Sequence, residues 1–172
     1  MNIEELVSRA KKGDDDAFYE LISNLKEQLY RIAFSYLKNE EESLEALQEV
    51  TYRAYINIKR LKKAKYFNSW VIRIMINYCI NELRNKKRFA SEEVLEEKGL
   101  QETNSFMNFD WIEIETILNQ MEEKYQTVIR LKYLYDLKIS DIAFIMNKPE
   151  GTVKTWLYKA LKKLRENFME VK

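Results

Sequence analysis

The stretch LKISDIAFIMNKPEGTVKTWLYKALKKLR, Leu137–Arg165, decides how this chain reads. Ile142, Ala143, Ile145 and Met146 share one face of a first short helix, and the pattern breaks at Asn147-Lys148-Pro149, because proline fits only the first turn of a new helix. A second helix therefore starts near Pro149. At about 100° per residue, Val153, Leu157, Ala160, Leu161 and Leu164 fall on one side of it and Thr155, Tyr158, Lys159 and Lys162 on the other, with Lys154 on the flank. Two short helices, a tight break, one packed face and one basic face describe a helix-turn-helix, a motif that places its second helix in a DNA groove. The plainer alternative is an amphipathic helix whose lysines are simply solvated.

Working outward, composition sets the class. Three glycines and one proline in 172 residues leave few tight turns, while Leu, Ile, Lys, Glu and Tyr dominate, so an all-α protein is expected. The length suits one medium domain or two small ones. The chain has no histidine and a single cysteine, Cys79, flanked by Ile76, Tyr78 and Ile80 in a helical pattern, where a small buried hydrophobe is its expected role. His-based acid–base catalysis, serine-histidine triads and the usual zinc sites are excluded, and three isolated glycines build neither a phosphate-binding loop nor a dinucleotide motif. No catalytic residue and no cofactor is expected. The amino terminus, MNIEELVSRAKKGDDD, is acidic and lacks the apolar core of a signal peptide. No later stretch reaches the roughly 18 apolar residues of a membrane span, so a cytoplasmic location without membrane insertion is expected.

A net charge of +1 looks unsuited to nucleic acid until the charges are mapped. Between Lys59 and Arg88 stand Lys59, Arg60, Lys62, Lys63, Lys65, Arg73, Arg84, Lys86, Lys87 and Arg88 against the lone acid Glu82. Lys148–Arg165 is again basic. Between residues 89 and 115, Glu92, Glu93, Glu96, Glu97, Glu102, Asp110, Glu113 and Glu115 face only Lys98. The expected organisation is two small helical domains, 1–88 and 109–172, joined by a flexible acidic linker at 89–108, whose weak periodicity and polar content mark it as a connector.

Within the first domain, Ile3, Leu6, Val7 and Ala10 predict a short helix ended by Gly13, and Asp14-Asp15-Asp16 open a longer one carrying Phe18 through Leu37 to about Asn39. A third helix is predicted from about Glu41 to Arg60 with Leu44, Leu47, Thr51, Ala54 and Ile58 inward, and Leu61 continuing that face. A mobile basic loop, Lys62–Asn68, follows, and Ser69 is the expected N-cap of a fourth helix reaching Lys87. That helix is apolar around most of its circumference, with Val71, Ile72, Ile74, Met75, Ile76, Tyr78, Cys79, Ile80 and Leu83. A narrow stripe of Trp70, Arg73, Asn77, Asn81, Arg84 and Arg88 interrupts it. Two readings fit this stripe: a solvated helix face, or a surface whose aromatic, amides and arginines stack on bases and bond phosphates. Trp70 also fits a packing role. The outward side of the third helix, with Glu45, Glu49, Tyr52, Arg53 and Ile56, likewise fits either a protein interface or a solvated face.

Three segments in this order resemble the extracytoplasmic-function sigma factors, small members of the sigma-70 class of bacteria. ESLEALQEVTYRAY is similar to the family's polymerase-binding segment, FNSWVIRIMINYCINELRNKKR to its −10 promoter segment, and KYQTVIRLKYLYDLKISDIAFIMNKPEGTVKTWLYKALKKLR to its −35-reading domain. The resemblance implies a four-helix first domain and a helix-turn-helix second domain. It also implies promoter-specific initiation by core RNA polymerase, whose clamp would be gripped by Glu45, Gln48, Glu49, Tyr52, Arg53 and Ile56. Lys65, Tyr66, Phe67, Asn68, Trp70, Arg73, Asn77, Asn81, Arg84 and Arg88 would hold the melted −10 non-template strand. Thr152, Lys154, Thr155, Tyr158, Lys159 and Lys162 would meet the −35 duplex. An anti-sigma factor anchored in the membrane is the further implied partner. The chain departs from the family pattern at Lys138 and Lys148, where capping side chains are common, at Thr51 in place of Phe, and at Trp156 in place of Arg. A stand-alone helix-turn-helix regulator and a helical adaptor of anti-sigma type are the competing readings. The first needs no second basic module, and the second needs no DNA-binding face.

Overall fold

The computed structural model describes residues 2–92 and 109–170. These residues form helices and connecting turns only, in two compact units, Met1–Gly99 and Leu100–Lys172. The all-α class is as expected. Most of the acidic connector, residues 93–108, lies outside the described residues.

In the first unit, α1 (Ile3–Lys11) packs on α2 (Asp15–Ser23), and α3 (Lys26–Leu37), α4 (Glu40–Asn57) and α5 (Phe67–Glu92) pack on one another. Side chains start three of these helices. Asn2 caps α1, the Asp14 carboxylate takes the Ala17 N–H of α2 at 3.0 Å, and the Asn39 side chain takes the Glu42 N–H of α4 at 3.0 Å. The Ala17 N–H, joined by the Arg9 guanidinium at 2.7 Å, holds the Asp14 carboxyl below its ordinary range. Gly13, at φ +95, makes the turn between α1 and α2 that a side chain would strain. Leu29, Ile32, Val50, Phe67, Val71, Ile72 and Met75 are fully buried and form the centre of the core. Lys11 donates to the Leu61 carbonyl, tying α1 to the segment ahead of α5, and Lys86 pairs with Glu42 to join α5 to the first turn of α4.

Six local expectations are corrected. The helix expected from Asp14-Asp15-Asp16 to about Asn39 is two helices, interrupted at Asn24 and Leu25. Both linking residues keep near-helical dihedrals (φ −68, ψ −20 and φ −103, ψ −13), so the apolar period runs on through the break. Helix α4 ends at Asn57 in a 3₁₀ turn, Ile58–Arg60. Ser69 is no N-cap, because α5 begins two residues earlier at Phe67, entered through a 3₁₀ turn at Ala64–Tyr66, and Ser69 is buried. This turn and the first residues of α5 replace most of the loop expected at Lys62–Asn68, and α5 continues to Glu92, past the expected Lys87. Leu44, expected inward, is 45% exposed. The inward row is Ser43, Ala46, Leu47, Val50 and Ala54, and Ser43 enters it because its hydroxyl bonds the Asn39 carbonyl at 2.5 Å.

In the second unit, α6 (Phe109–Asn119), α7 (Glu123–Ile129), α8 (Ile139–Met146) and α9 (Glu150–Glu170) surround Leu118, Val128, Ile129, Leu131, Ile142, Val153 and Ala160. Helix α7 runs into one wide π turn, Arg130–Leu134. Arg130 within it reaches Glu115 of α6 at 3.5 Å, with both side chains largely covered.

Two tests follow from this packing. Leu47→Ala should destabilise the chain by about 2–5 kcal/mol, whereas Leu44→Ala should stay within about 0.5 kcal/mol, as read by urea denaturation. Cys79 is fully buried beside Met75, and burial, with Glu82 adding to it, pushes its thiol up to about 12. The folded chain therefore keeps this proton while the unfolded chain loses it above about 9, so Cys79 lowers stability as pH rises from about 9 toward about 12. Thiol titration should find Cys79 unreactive at neutral pH until denaturant is added, and a Cys79→Ala variant should show a flatter loss of stability across that alkaline window.

Candidate nucleic-acid interface

The break between α8 and α9 is made by Asn147, which takes the left-handed conformation at φ 52, with the Lys148 N–H returning to the Ala143 carbonyl at 3.0 Å. The Pro149 carbonyl then receives the N–H groups of Thr152 and Val153 and starts α9. Lys138 opens α8 without a side-chain cap. Along α9, Val153 and Ala160 are buried and Leu157, Leu161 and Leu164 half-buried, while Lys154, Thr155, Tyr158, Lys159 and Lys162 are exposed and Thr152 is half-buried. The two faces expected from the periodicity are present. Tyr158 is 69% exposed, a large aromatic surface left in water among lysines.

The side of α9 turned toward α7 is held by a charge and ring cluster that the sequence did not reveal. Lys163 lies over the buried Tyr125 ring at 4.8 Å and reaches Glu122 at 4.0 Å. Lys124 bonds Glu122 at 2.7 Å and lies over Tyr125 and the half-buried Trp156 at 5.0 and 5.9 Å. The hydrogen bond from Lys124, with the fields of Lys163 and Lys159, holds the Glu122 carboxyl below its ordinary range. Lys163 thus serves the packing, whereas Lys154 and Lys162 have no ion-pair partner among the described residues.

On α5 the polar stripe runs from the half-buried Trp70 and Arg73 through Asn77, Asn81, Arg84 and Arg88, the last four exposed. Ahead of it, Lys65 and Asn68 are exposed, and the Lys65 ammonium lies 5.0 Å over the half-buried Tyr66 ring. Phe67 is the correction. Its ring is fully buried, because positions 67, 71, 75 and 79 form the row of α5 that enters the core, so it presents no face to a base. Trp70 leans on it, ring centres 6.1 Å apart.

On α4, Glu45, Gln48, Tyr52, Arg53 and Ile56 are exposed and Glu49 half-buried, with Tyr52 at 60% and Ile56 at 54%. Arg53 bonds Glu49 at 2.6 Å and stands 5.2 Å over the ring of Tyr78. Burial, then the carboxylates of Glu82, Glu49 and Glu45, raise the Tyr78 phenol above its ordinary range. The α4 face therefore continues onto α5 through Tyr78, a residue that periodicity assigned to the core. Tyr55 is a second omission. It donates to Asp15 at 2.7 Å and packs edge-on against Phe18, yet leaves 47% of its surface in water. Its spacing three residues after Tyr52 was the available signal.

Among the described residues no group of three His, Cys, Asp or Glu is placed to hold a metal ion, and no helix is long and apolar enough to cross a membrane.

Comparison with known proteins follows this division. Sigma-70 region 2 matches residues 21–89, and sigma-70 region 4 matches residues 111–164. The RNA polymerase sigma factor SigV of Bacillus subtilis is 32% identical over 84% of this chain and 86% of its own length. The ECF RNA polymerase sigma factor SigW of the same organism is 29% identical over 99% of both chains. Among solved structures, CnrH in complex with the cytosolic domain of CnrY superposes with a TM-score of 0.70 over 98% of this chain and 97% of that one, at 18% identity. The sigma factor RpoE in complex with the anti-sigma factor NepR from Bartonella quintana gives 0.67 over 87% and 94%, also at 18% identity. These two structures share the fold. Fold, motif order and full-length similarity agree, and the chain belongs to the extracytoplasmic-function group of RNA polymerase sigma factors in the sigma-70 family.

Proposed function

We propose that this sigma factor docks on the clamp of core RNA polymerase through the α4 face, reads the −35 duplex with α9 and captures the melted −10 non-template strand on the α5 stripe. The observation that carries this reading is the pair of separate exposed polar faces, one in each compact unit, that differ in chemistry. The α9 face offers lysines, threonines and a tyrosine on a helix of groove-reading type, which suits duplex DNA. The α5 face offers amides and arginines beside an aromatic and basic turn, which suits unpaired bases. A stand-alone regulator would leave the second face without a task. The carboxylates and exposed apolar groups of α4 suit a basic helical partner such as a polymerase surface. With Phe67 buried, Tyr66 is the ring next to the stripe that a base can reach.

An anti-sigma factor is the second protein partner in this reading, drawn from the complex of RpoE with the anti-sigma factor NepR. Membrane anchoring of that partner and a cytoplasmic site of action belong to the same proposal. Domain limits of 1–88 and 109–172 with an acidic connector between them are also part of it.

Run-off transcription with purified core polymerase, with and without the chain, on promoters selected from a randomised library tests the reading. Specific transcripts should require both components. Lys154→Ala and Lys159→Ala should lower transcription from −35-dependent promoters and leave pull-down of core polymerase unchanged. A parallel loss of polymerase binding would mean that α9 has been assigned to the wrong partner.

The α5 stripe has its own test. Asn77→Ala and Tyr66→Ala should each weaken strand capture by about 1–3 kcal/mol, slowing initiation from a closed duplex and relaxing the −10 preference on a template with a preformed bubble. Unchanged opening rates and unchanged −10 preference would leave the stripe as a solvated helix face. Phe67→Ala is not informative here, since deleting a fully buried ring costs about 3–5 kcal/mol of stability by itself.

A further inference from the structure

Gly151 sits in the first turn of α9, and nothing inside the protein accounts for it. Its φ lies outside the left-handed region, and beyond its chain neighbours and its own helix backbone a Cβ built on it meets no atom of the described residues within 4 Å. A Cβ therefore fits both its backbone and the space beside it. Glycine is the poorest helix former after proline, so alanine would serve this helix better. Among the described residues nothing requires the missing side chain.

Its position supplies an external one. At about 100° per residue, Gly151 falls with Thr155, Tyr158 and Lys162 inside a sector of about 60°, the middle of the exposed face, with Lys154 beside it. The Thr155 hydroxyl donates to the Gly151 carbonyl at 3.0 Å, which draws that side chain along the helix and keeps the surface at Gly151 low. A major groove is about 12 Å wide, and a helix with its side chains is about 10–12 Å across, so insertion has little clearance. In a helix-turn-helix the N-terminal residues of the second helix meet the base edges, and Gly151 stands in that first turn of α9.

We infer that Gly151 is the point of closest approach between α9 and duplex DNA, and that its lack of a side chain sets how deeply the helix enters the groove. The inference rests on the proposed duplex-reading role of α9 and adds a residue that determines its fit. A side chain at 151 lifts the whole face, so contacts from Lys154, Thr155 and Tyr158 weaken together rather than one at a time.

Gly151→Ala and Gly151→Leu in the full-length chain test this, since both residues favour helix. In urea denaturation the alanine variant should shift the unfolding equilibrium about two- to fivefold toward the folded state. Bound to core polymerase, it should hold a promoter duplex selected by the parent holoenzyme about tenfold less tightly, and the leucine variant less tightly still. On a premelted template that lacks a −35 element, both should initiate at the parent rate. The discriminating signature is greater stability with weaker duplex binding. If both variants hold the duplex as tightly as the parent while Lys154→Ala and Lys159→Ala weaken it, the duplex face stands and the role of Gly151 is overturned. If none of the four substitutions changes duplex binding, the assignment of α9 to the duplex fails, and this inference fails with it. A loss of binding accompanied by an equal loss of stability would also overturn it, as a folding defect.

Discussion

Burial of α5 is the constraint on which the first unit depends. Phe67, Val71, Ile72, Met75, Ile76 and Cys79 together cover too much of the helix circumference for one neighbour to bury, so α3 and α4 pack against it from different directions. Up to Leu83 what stays in water on the far side of this helix is a narrow strip with Asn77 and Asn81, and beyond it Arg84, Lys86, Lys87 and Arg88 are all exposed. The same packing explains how the helix is entered. The chain reaches the fully buried Phe67 of the first turn through a compact 3₁₀ turn, which leaves Lys65 and Asn68 exposed at the head of the strip. A deep core and an unusual surface thus have one cause.

The second unit solves a different problem, that of presenting one face of a long helix while holding the other. Helix α9 has only two fully buried side chains, Val153 and Ala160, among the residues described in full. Its attachment to α7 is reinforced at the edge, where Lys124 and Lys163 share the Glu122 carboxylate and the Tyr125 ring. Exposed ion pairs contribute little singly, and a buried ring between two ammonium groups adds cation–π attraction to the area it buries. The lysines on the outer face are left to other partners. Since the net charge is only +1, attraction for nucleic acid is local to such faces rather than a property of the whole molecule.

Several features were legible in the linear chain because they depend only on period and on single-residue geometry. The all-α class followed from the scarcity of glycine and proline, the helix-turn-helix from Pro149 and the two apolar faces around it, and the buried state of Cys79 from its neighbours. The order of three family-like segments pointed to a sigma factor, and full-length similarity bears that out. The break at Asn24 was not legible, because a turn with near-helical dihedrals leaves the apolar spacing intact.

Only the tertiary structure decided which of two adjacent candidates goes inward. Ser43 rather than Leu44 enters the core of α4, since the Asn39 carbonyl satisfies its hydroxyl and the crossing with α5 sets the rotation of the helix. Phe67 rather than Tyr66 is buried for the same kind of reason: the 3₁₀ turn fixes the phase at which α5 begins, and a shift of one residue rotates every side chain by about 100°. The cluster of Lys124, Glu122, Tyr125, Trp156 and Lys163 joins residues roughly thirty or forty positions apart, a distance at which no local period carries information. Sequence alone determined the all-α class, the helix-turn-helix and the kinds of face that its helices carry. The packing of one helix against another set their phase, and the phase decides which side chains are left to meet DNA or protein.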